Sequence, residues 1–287
     1  MKEIINKKIL IIGGAGFIGS NLASKLALNN DVVILDNLLS GKIENLPDNT
    51  EFYNLSSINI LEIDFKKIFD FVFHFGEYAR VEQSIDEYKL CFENTVSGIG
   101  NVLEFCRINS SKLIYSGSST KFSKNGVNLS PYTFFKAQNA STVEYMCKLL
   151  SIPFAIVYFS NVYGRNEIEA GDYSTVVAKF LLAKKKNERV FITEPGTQTR
   201  AFTHINDTIS AILLTALFGL GDGYVIGSSK QHSIIELCKL MDLDYDFKEA
   251  NEANRMTSTI NNSKIMALGW KELHSLEVYL DEEILKH

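Results

Sequence analysis

Proline is scarce, 4 in 287 residues, and no low-complexity or Pro/Gly/Ser-rich stretch interrupts the chain, so lobes on a loose tether are excluded and close packing is expected. Cysteine is equally sparse. Cys91, Cys106, Cys147 and Cys238 lie far apart with no C-x-x-C pair, in a chain large enough to fold without bridges, which predicts reduced thiols in a cytoplasmic protein. The five histidines show no H-x-x-x-H spacing, and no metal site is expected. There is no basic excess: 29 Lys+Arg stand against 34 Asp+Glu, a net charge of −5, which argues against a nucleic-acid binder. Long apolar runs are missing too. The most membrane-like stretch, Ile209 to Leu220, is about twelve residues where a spanning helix needs about twenty, and it contains Ser210 and Thr215; it reads as a core helix. Lys2, Lys7 and Lys8 precede an apolar run, but glycines break that run and no A-x-A pattern follows, so this segment reads as structure.

What is present is an ordinary globular composition, 46% hydrophobic and 22% charged, in a chain about twice the usual domain length. Short apolar runs at Ile9–Ile12, Val32–Leu35, Phe71–Phe75, Lys112–Tyr115 and Phe154–Tyr158 alternate with helix-period segments, notably around Cys91–Ile108 and Tyr132–Leu150. Continuous runs of this kind belong to parallel strands buried on both faces, and the alternation predicts an α/β, doubly wound parallel sheet. Past Gly164 the pattern loosens into a polar stretch, a helix from Ser174 ending in Lys184, Lys185 and Lys186, and short elements. The expected division is a cofactor-binding part over 1–164 and a mainly substrate-binding lobe over 165–287, with 201–232 returning to the first part.

Gly13, Gly14, Ala15, Gly16, Phe17, Ile18 and Gly19 directly follow the first strand and open the first helix. Glycines there let the backbone turn tightly and approach a pyrophosphate, whose charge is favoured by the amides and dipole of the helix start. Asp36 follows about 17 residues beyond Gly19, at the end of the second strand, near the spacing of the acid that binds the adenosine ribose. Asp36 accepts from a 2′-hydroxyl and repels a 2′-phosphate, and Asn37 and Leu38 offer no replacement cation, so NAD is favoured over NADP. Farther on, Tyr132 and Lys136 stand four apart, on one face of a helix. With 12 tyrosines in the chain the spacing alone proves little. Their position matters more: the pair opens a helix downstream of a strand whose end carries Ser116, Gly117, Ser118 and Ser119, where ligands bind in such folds.

With these motifs the chain resembles the extended short-chain dehydrogenase/reductases, the NAD-dependent epimerase/dehydratase family acting on nucleotide sugars. The resemblance runs through Gly13–Gly19, Asp36, His74-Phe75, Asn94 with Gly98, the serine-rich strand end, Tyr132, Lys136, Asn161-Val162-Tyr163-Gly164, Arg200, His204 and Asp207, and Leu268-Gly269-Trp270. It implies a Rossmann fold, bound NAD, a nucleotide-diphosphate-sugar substrate and a homodimer formed through the helices around Asn94 and Tyr132. It also implies a catalytic set of Ser118, Tyr132 and Lys136, in which Tyr132 is the base, Lys136 supplies charge and holds the nicotinamide ribose, and Ser118 bonds the sugar hydroxyl. Cofactor contacts are implied for Gly13, Gly16, Phe17, Ile18, Gly19, Asp36, Asn37, Asn54, Leu55, Phe75, Gly76, Asn94, Tyr132 and Lys136. Substrate contacts are implied for Ser118 and Asn161, and for Arg200 and Arg255 on the diphosphate, because a guanidinium matches phosphate oxygens in a bidentate way.

The departures narrow the reaction. Dehydratases of the family place Asp-Glu after the catalytic Ser/Thr, because elimination needs two acid/base groups; this chain has Ser119 and Thr120. The Cys and His of the related epimerase-reductases are also missing. These features favour a 4-epimerase, with a dehydratase, a reductase or a non-catalytic nucleotide-binding protein as alternatives. Gly76-Glu77 stands where the family usually has two alanines, and Glu77 is expected either to reach cofactor or substrate hydroxyls or to be a loop acid facing water.

Overall fold

The computed structural model describes residues 3–122, 126–171, 173–249 and 261–286, so Arg255 lies outside the described residues. The first half alternates strand and helix: β1 (Lys8–Ile12), α1 (Phe17–Leu26), β2 (Asp31–Leu35), β3 (Glu51–Tyr53), β4 (Phe71–His74), α2 (Gln83–Asp86), α3 (Tyr88–Thr95), α4 (Ile99–Asn109), β5 (Lys112–Ser118), α5 (Pro131–Leu149) and β6 (Phe154–Phe159). The second half has β7 (Val162–Tyr163), α6 (Val176–Lys186), β8 (Val190–Thr193), β9 (Thr199–Arg200), β10 (Thr203–His204), α7 (Ile205–Phe218), β11 (Gly221–Ile226), β12 (His232–Ser233), α8 (Ile234–Leu240), β13 (Tyr245–Lys248), α9 (Ser263–Met266) and α10 (Leu276–Leu285).

Seven strands form one sheet in the order β11-β6-β5-β4-β1-β2-β3, parallel throughout. Its strands are buried on both faces because helices cover both. Leu22 of α1 and Ile212 of α7 pack with Ile9, Ile11 and Ile34 on one side. Val102 of α4 and Val143 of α5 pack with Leu10, Val33 and Leu113 on the other. A third cluster, with Phe180, Val190, Leu237 and Leu280, forms the core of a smaller lobe built from α6, β8, α8 and α10. The strand after α7, β11, pairs with β6 and so rejoins the large sheet.

Strand order reverses direction between β1 and β4, and a crevice opens beyond the carboxyl ends of the strands at such a point. Two boundaries differ from the sequence expectation. The helical segment around Cys91–Ile108 is two helices, α3 and α4, separated at Val96–Gly98. Gly98 is a poor helix former, and any Cβ there would lie 2.1 Å from the Ser57 hydroxyl, so this stretch is fitted to the neighbouring turn. The core helix expected at Ile209–Leu220 begins earlier, at Ile205, where His204 accepts from the Asn206 amide.

Candidate active site

The glycine-rich turn sits at that crevice. Gly13 has φ +85°, and a Cβ on it would come within 2.4–2.5 Å of the Gly76 backbone, so the turns after β1 and β4 touch through bare backbone. Helix α1 starts at Phe17 with Gly16 as its N-cap and no acid in its first turn, which leaves its amide-rich end open to an anion. Gly13, Gly16, Asp36, Asn37, Phe75, Gly76, Arg80 and Asn94 line one groove. At its end, the two Asp36 oxygens accept from the amides of Ala15 (2.9 Å) and Leu38 (2.8 Å). Burial raises the Asp36 carboxyl, against those amide bonds, which lower it. Asn37 donates to Asn94 across 2.8 Å, tying α3 to the end of β2.

At Ala79 and Arg80 the groove meets a cleft of about 740 Å³ between the sheet and the smaller lobe. Ser118, Ser119, Thr120, Tyr132, Asn161 and Arg200 line it, together with Phe17, Ile18 and Lys179. Ser118 comes from the end of β5, and its hydroxyl lies 2.8 Å from that of Thr120. Tyr132 begins α5, whose N-terminus is set by Pro131 and a capping box: Ser130 accepts from the Thr133 amide while Thr133 accepts from the Ser130 amide. A larger depression, about 1150 Å³ and lined by Lys25, Arg165, Glu167 and His204 among others, shares only Phe17 with this cleft and contains none of Ser118, Tyr132 and Lys136. Size alone does not mark the site.

One turn along α5, Lys136 is buried, 3% exposed, and its ammonium donates to Glu77 Oε2 (2.5 Å) and to the Ser116 carbonyl (2.5 Å). The Glu77 carboxylate also accepts from the Tyr115 hydroxyl (2.8 and 3.0 Å) and from Asn139 (3.1 Å), and His74 Nε2 lies 3.5 Å away. A closed polar cluster therefore lies beneath the crevice.

The sequence profile of the NAD dependent epimerase/dehydratase family matches residues 9–227. The chain belongs to this family. It is 30% identical over 285 residues, 92% of each chain, to a candidate UDP-glucose 4-epimerase of Methanocaldococcus jannaschii. It is 28% identical over 272 residues, 83% of this chain and 62% of the relative, to a dTDP-D-glucose 4,6-dehydratase of Dictyostelium discoideum. Among solved structures, the UDP-glucose 4-epimerase of Thermotoga maritima with UDP-glucose superposes with a TM-score of 0.90 at 26% identity, covering 97% of both chains.

As a member of this NAD-dependent family, the protein is an enzyme acting on nucleotide sugars, and its groove suits the dinucleotide. Bare backbone at Gly13 and Gly76, an open helix start and a carboxylate at the end of β2 are what a pyrophosphate and an adenosine ribose require. Gly13, Gly16, Asp36, Asn37, Phe75, Gly76 and Asn94 line the groove; Phe17, Ile18 and Tyr132 line the adjoining cleft, and Gly19 packs against the Gly13 carbonyl. Asn54 and Leu55 lie after β3 as exposed residues and line neither. Asn161 and Arg200 do reach the cleft, Asn161 while donating to the Ala201 carbonyl (3.2 Å).

Glu77 needs correcting on one expectation: it borders the groove, but its side chain is 2% exposed, so it is not a loop acid facing water. A buried carboxylate demands compensation, and Lys136, Tyr115 and Asn139 provide it. Tyr115 and Asn139 carried no sequence signal, since their role exists only when β5 and α5 meet over the turn after β4. Arg80, which borders both groove and cleft and packs on the Tyr173 ring at 5.6 Å, is likewise a product of the fold.

Proposed function

We propose that the protein is a nucleotide-sugar 4-epimerase that works as a homodimer, with residues 1–164 mainly binding cofactor and 165–287 mainly binding the sugar nucleotide. In this reading Tyr132 takes the proton of the sugar 4-hydroxyl and later returns one. A phenol, with an ordinary pKa near 10, needs neighbouring positive charge for that task, and Lys136 is one turn away. Ser118 bonds the same hydroxyl and relays the proton, Asn161 orients the sugar, and Arg200 holds the diphosphate. Bound NAD supplies the acceptor and donor of hydride.

The observation that carries the choice of reaction is the pairing of Ser118 with Thr120. Elimination of water needs a second acid/base pair beside the reacting sugar, and hydroxyls occupy those places here. Moving one proton out and back needs only the tyrosine. The test is incubation with UDP-, GDP-, CDP- and dTDP-sugars, without added reductant, followed by NMR of the products. A C4-inverted sugar is expected; loss of water, or consumption of NADH when it is supplied, overturns the assignment.

A further inference from the structure

The ion pair between Glu77 and Lys136 is the part of this site that the resemblance does not account for, since the family usually has alanine at position 77. The pair is dry: the two side chains are 2% and 4% exposed. An ammonium carries three N–H groups. Here one goes to Glu77 Oε2 and one to the Ser116 carbonyl, both at 2.5 Å, and the third has the Tyr115 hydroxyl at 3.4 Å. Lys136 therefore keeps at most one donor for a ribose. Glu77 is held just as firmly, by Lys136, Tyr115 and Asn139, so neither partner can swing free without breaking several bonds.

Charge follows from geometry. An ammonium in contact with a carboxylate presents a dipole to its surroundings, and its attraction for a third group falls well below that of a lone cation. We propose that Glu77 is a positioning residue that fixes the Lys136 ammonium against Ser116 and offsets part of its charge, so that Tyr132 works in a weaker positive field than a lone ammonium would give. This rests on the reading of Tyr132 and Lys136 as the reacting pair. The groups facing the cluster are His74 from β4, Cys91 from α3, Tyr115 from β5, and Tyr132 and Asn139 from α5. His74 is held neutral by burial, which lowers it to about 4, so within the dry cluster the carboxylate is balanced by Lys136 alone. Arg80 from the turn beyond β4 lines the cleft with Tyr132 and interacts with it electrostatically.

The test is Glu77→Gln in the full NAD-bound chain. An amide keeps the shape and can still accept from Lys136 but carries no charge. Labelled ¹³Cζ-tyrosine NMR, with the Tyr132 signal assigned through Tyr132→Phe, follows the phenol without any sugar present. The expected result is a titration midpoint moved to lower pH, equivalent to an acid about tenfold stronger, with the acidic limb of kcat/KM moving the same way. A midpoint unchanged or moved to higher pH overturns the proposal, even if melting temperature falls. Should the Gln variant not fold, Glu77→Ala with Tyr115→Phe removes acceptor and donor together, and the same criterion applies. Failure of every sugar to epimerise overturns the reading of the reaction; the phenol titration decides the role of Glu77 independently.

Discussion

His74 is fully buried, with neither ring nitrogen hydrogen-bonded among the described residues, stacked edge-on against Tyr115 and 3.5 Å from Glu77. Burial, partly offset by the attraction of Glu77, lowers its pKa from 6.5 to about 4. Because the folded value lies below the unfolded one, acid favours the unfolded chain: it takes up a proton as pH falls below about 6.5, whereas the folded ring resists until about 4. His74 thus subtracts about 2 kcal/mol of stability between pH 7 and pH 5. In urea titrations His74→Phe is expected to lessen the loss of stability over that interval by this amount. An unchanged pH dependence would mean that the ring takes up its proton equally readily in the folded and unfolded chains. His204, lowered to about 4 chiefly by burial, acts in the same direction and keeps some acid sensitivity in the variant.

Helix α5 carries Tyr132, Lys136 and Asn139 on successive turns, and its start is fixed by Pro131 and the Ser130–Thr133 capping box. Thr133 adds a bond to the Val127 carbonyl at 2.9 Å, which links the helix start to the preceding turn. Ser130→Ala is expected to lower stability by about 1 kcal/mol, the usual value of such a cap, read from a shift in the urea midpoint at constant slope. Because Tyr132 is the second residue of the helix, turnover should fall more than cofactor binding does. A variant with full stability and full turnover would show that the cap does not set the helix start. The pattern of the sequence placed Tyr132 and Lys136 on one helical face, since periodicity alone does that. It did not separate α3 from α4, because that break is fitted to Ser57, about forty residues earlier in the chain.

Assembly belongs to the surface. Tyr88 and Phe92 on α3 and Phe134, Tyr145 and Leu149 on α5 are large apolar side chains left 44–67% exposed on two helices that pack together. Apolar exposure concentrated on neighbouring helices is the kind of surface that a second copy covers. Light scattering is expected to give a dimer for the unmodified chain, and Phe92→Glu, which places a charge in that surface, is expected to raise the dissociation constant at least about tenfold. A monomeric unmodified chain, or a variant that stays fully dimeric, would remove these helices from the interface.

Strand periods, the glycine-rich turn and the acid at the end of β2 were legible from order along the chain, because a parallel sheet with its phosphate turn is written in local pattern: short buried runs, glycine where backbone must approach, helix starts after them. That Tyr132 and Lys136 share a helical face and that Ser118 ends a strand was legible for the same reason; their roles are what the family resemblance implies. The partners of Lys136 were not. Glu77, Tyr115 and Asn139 come from three elements that meet only when β4 and β5 pair and α5 packs across them, and a carboxylate that reads equally as a ligand contact or a loop acid becomes the counter-ion of a buried lysine once that packing removes water from around it.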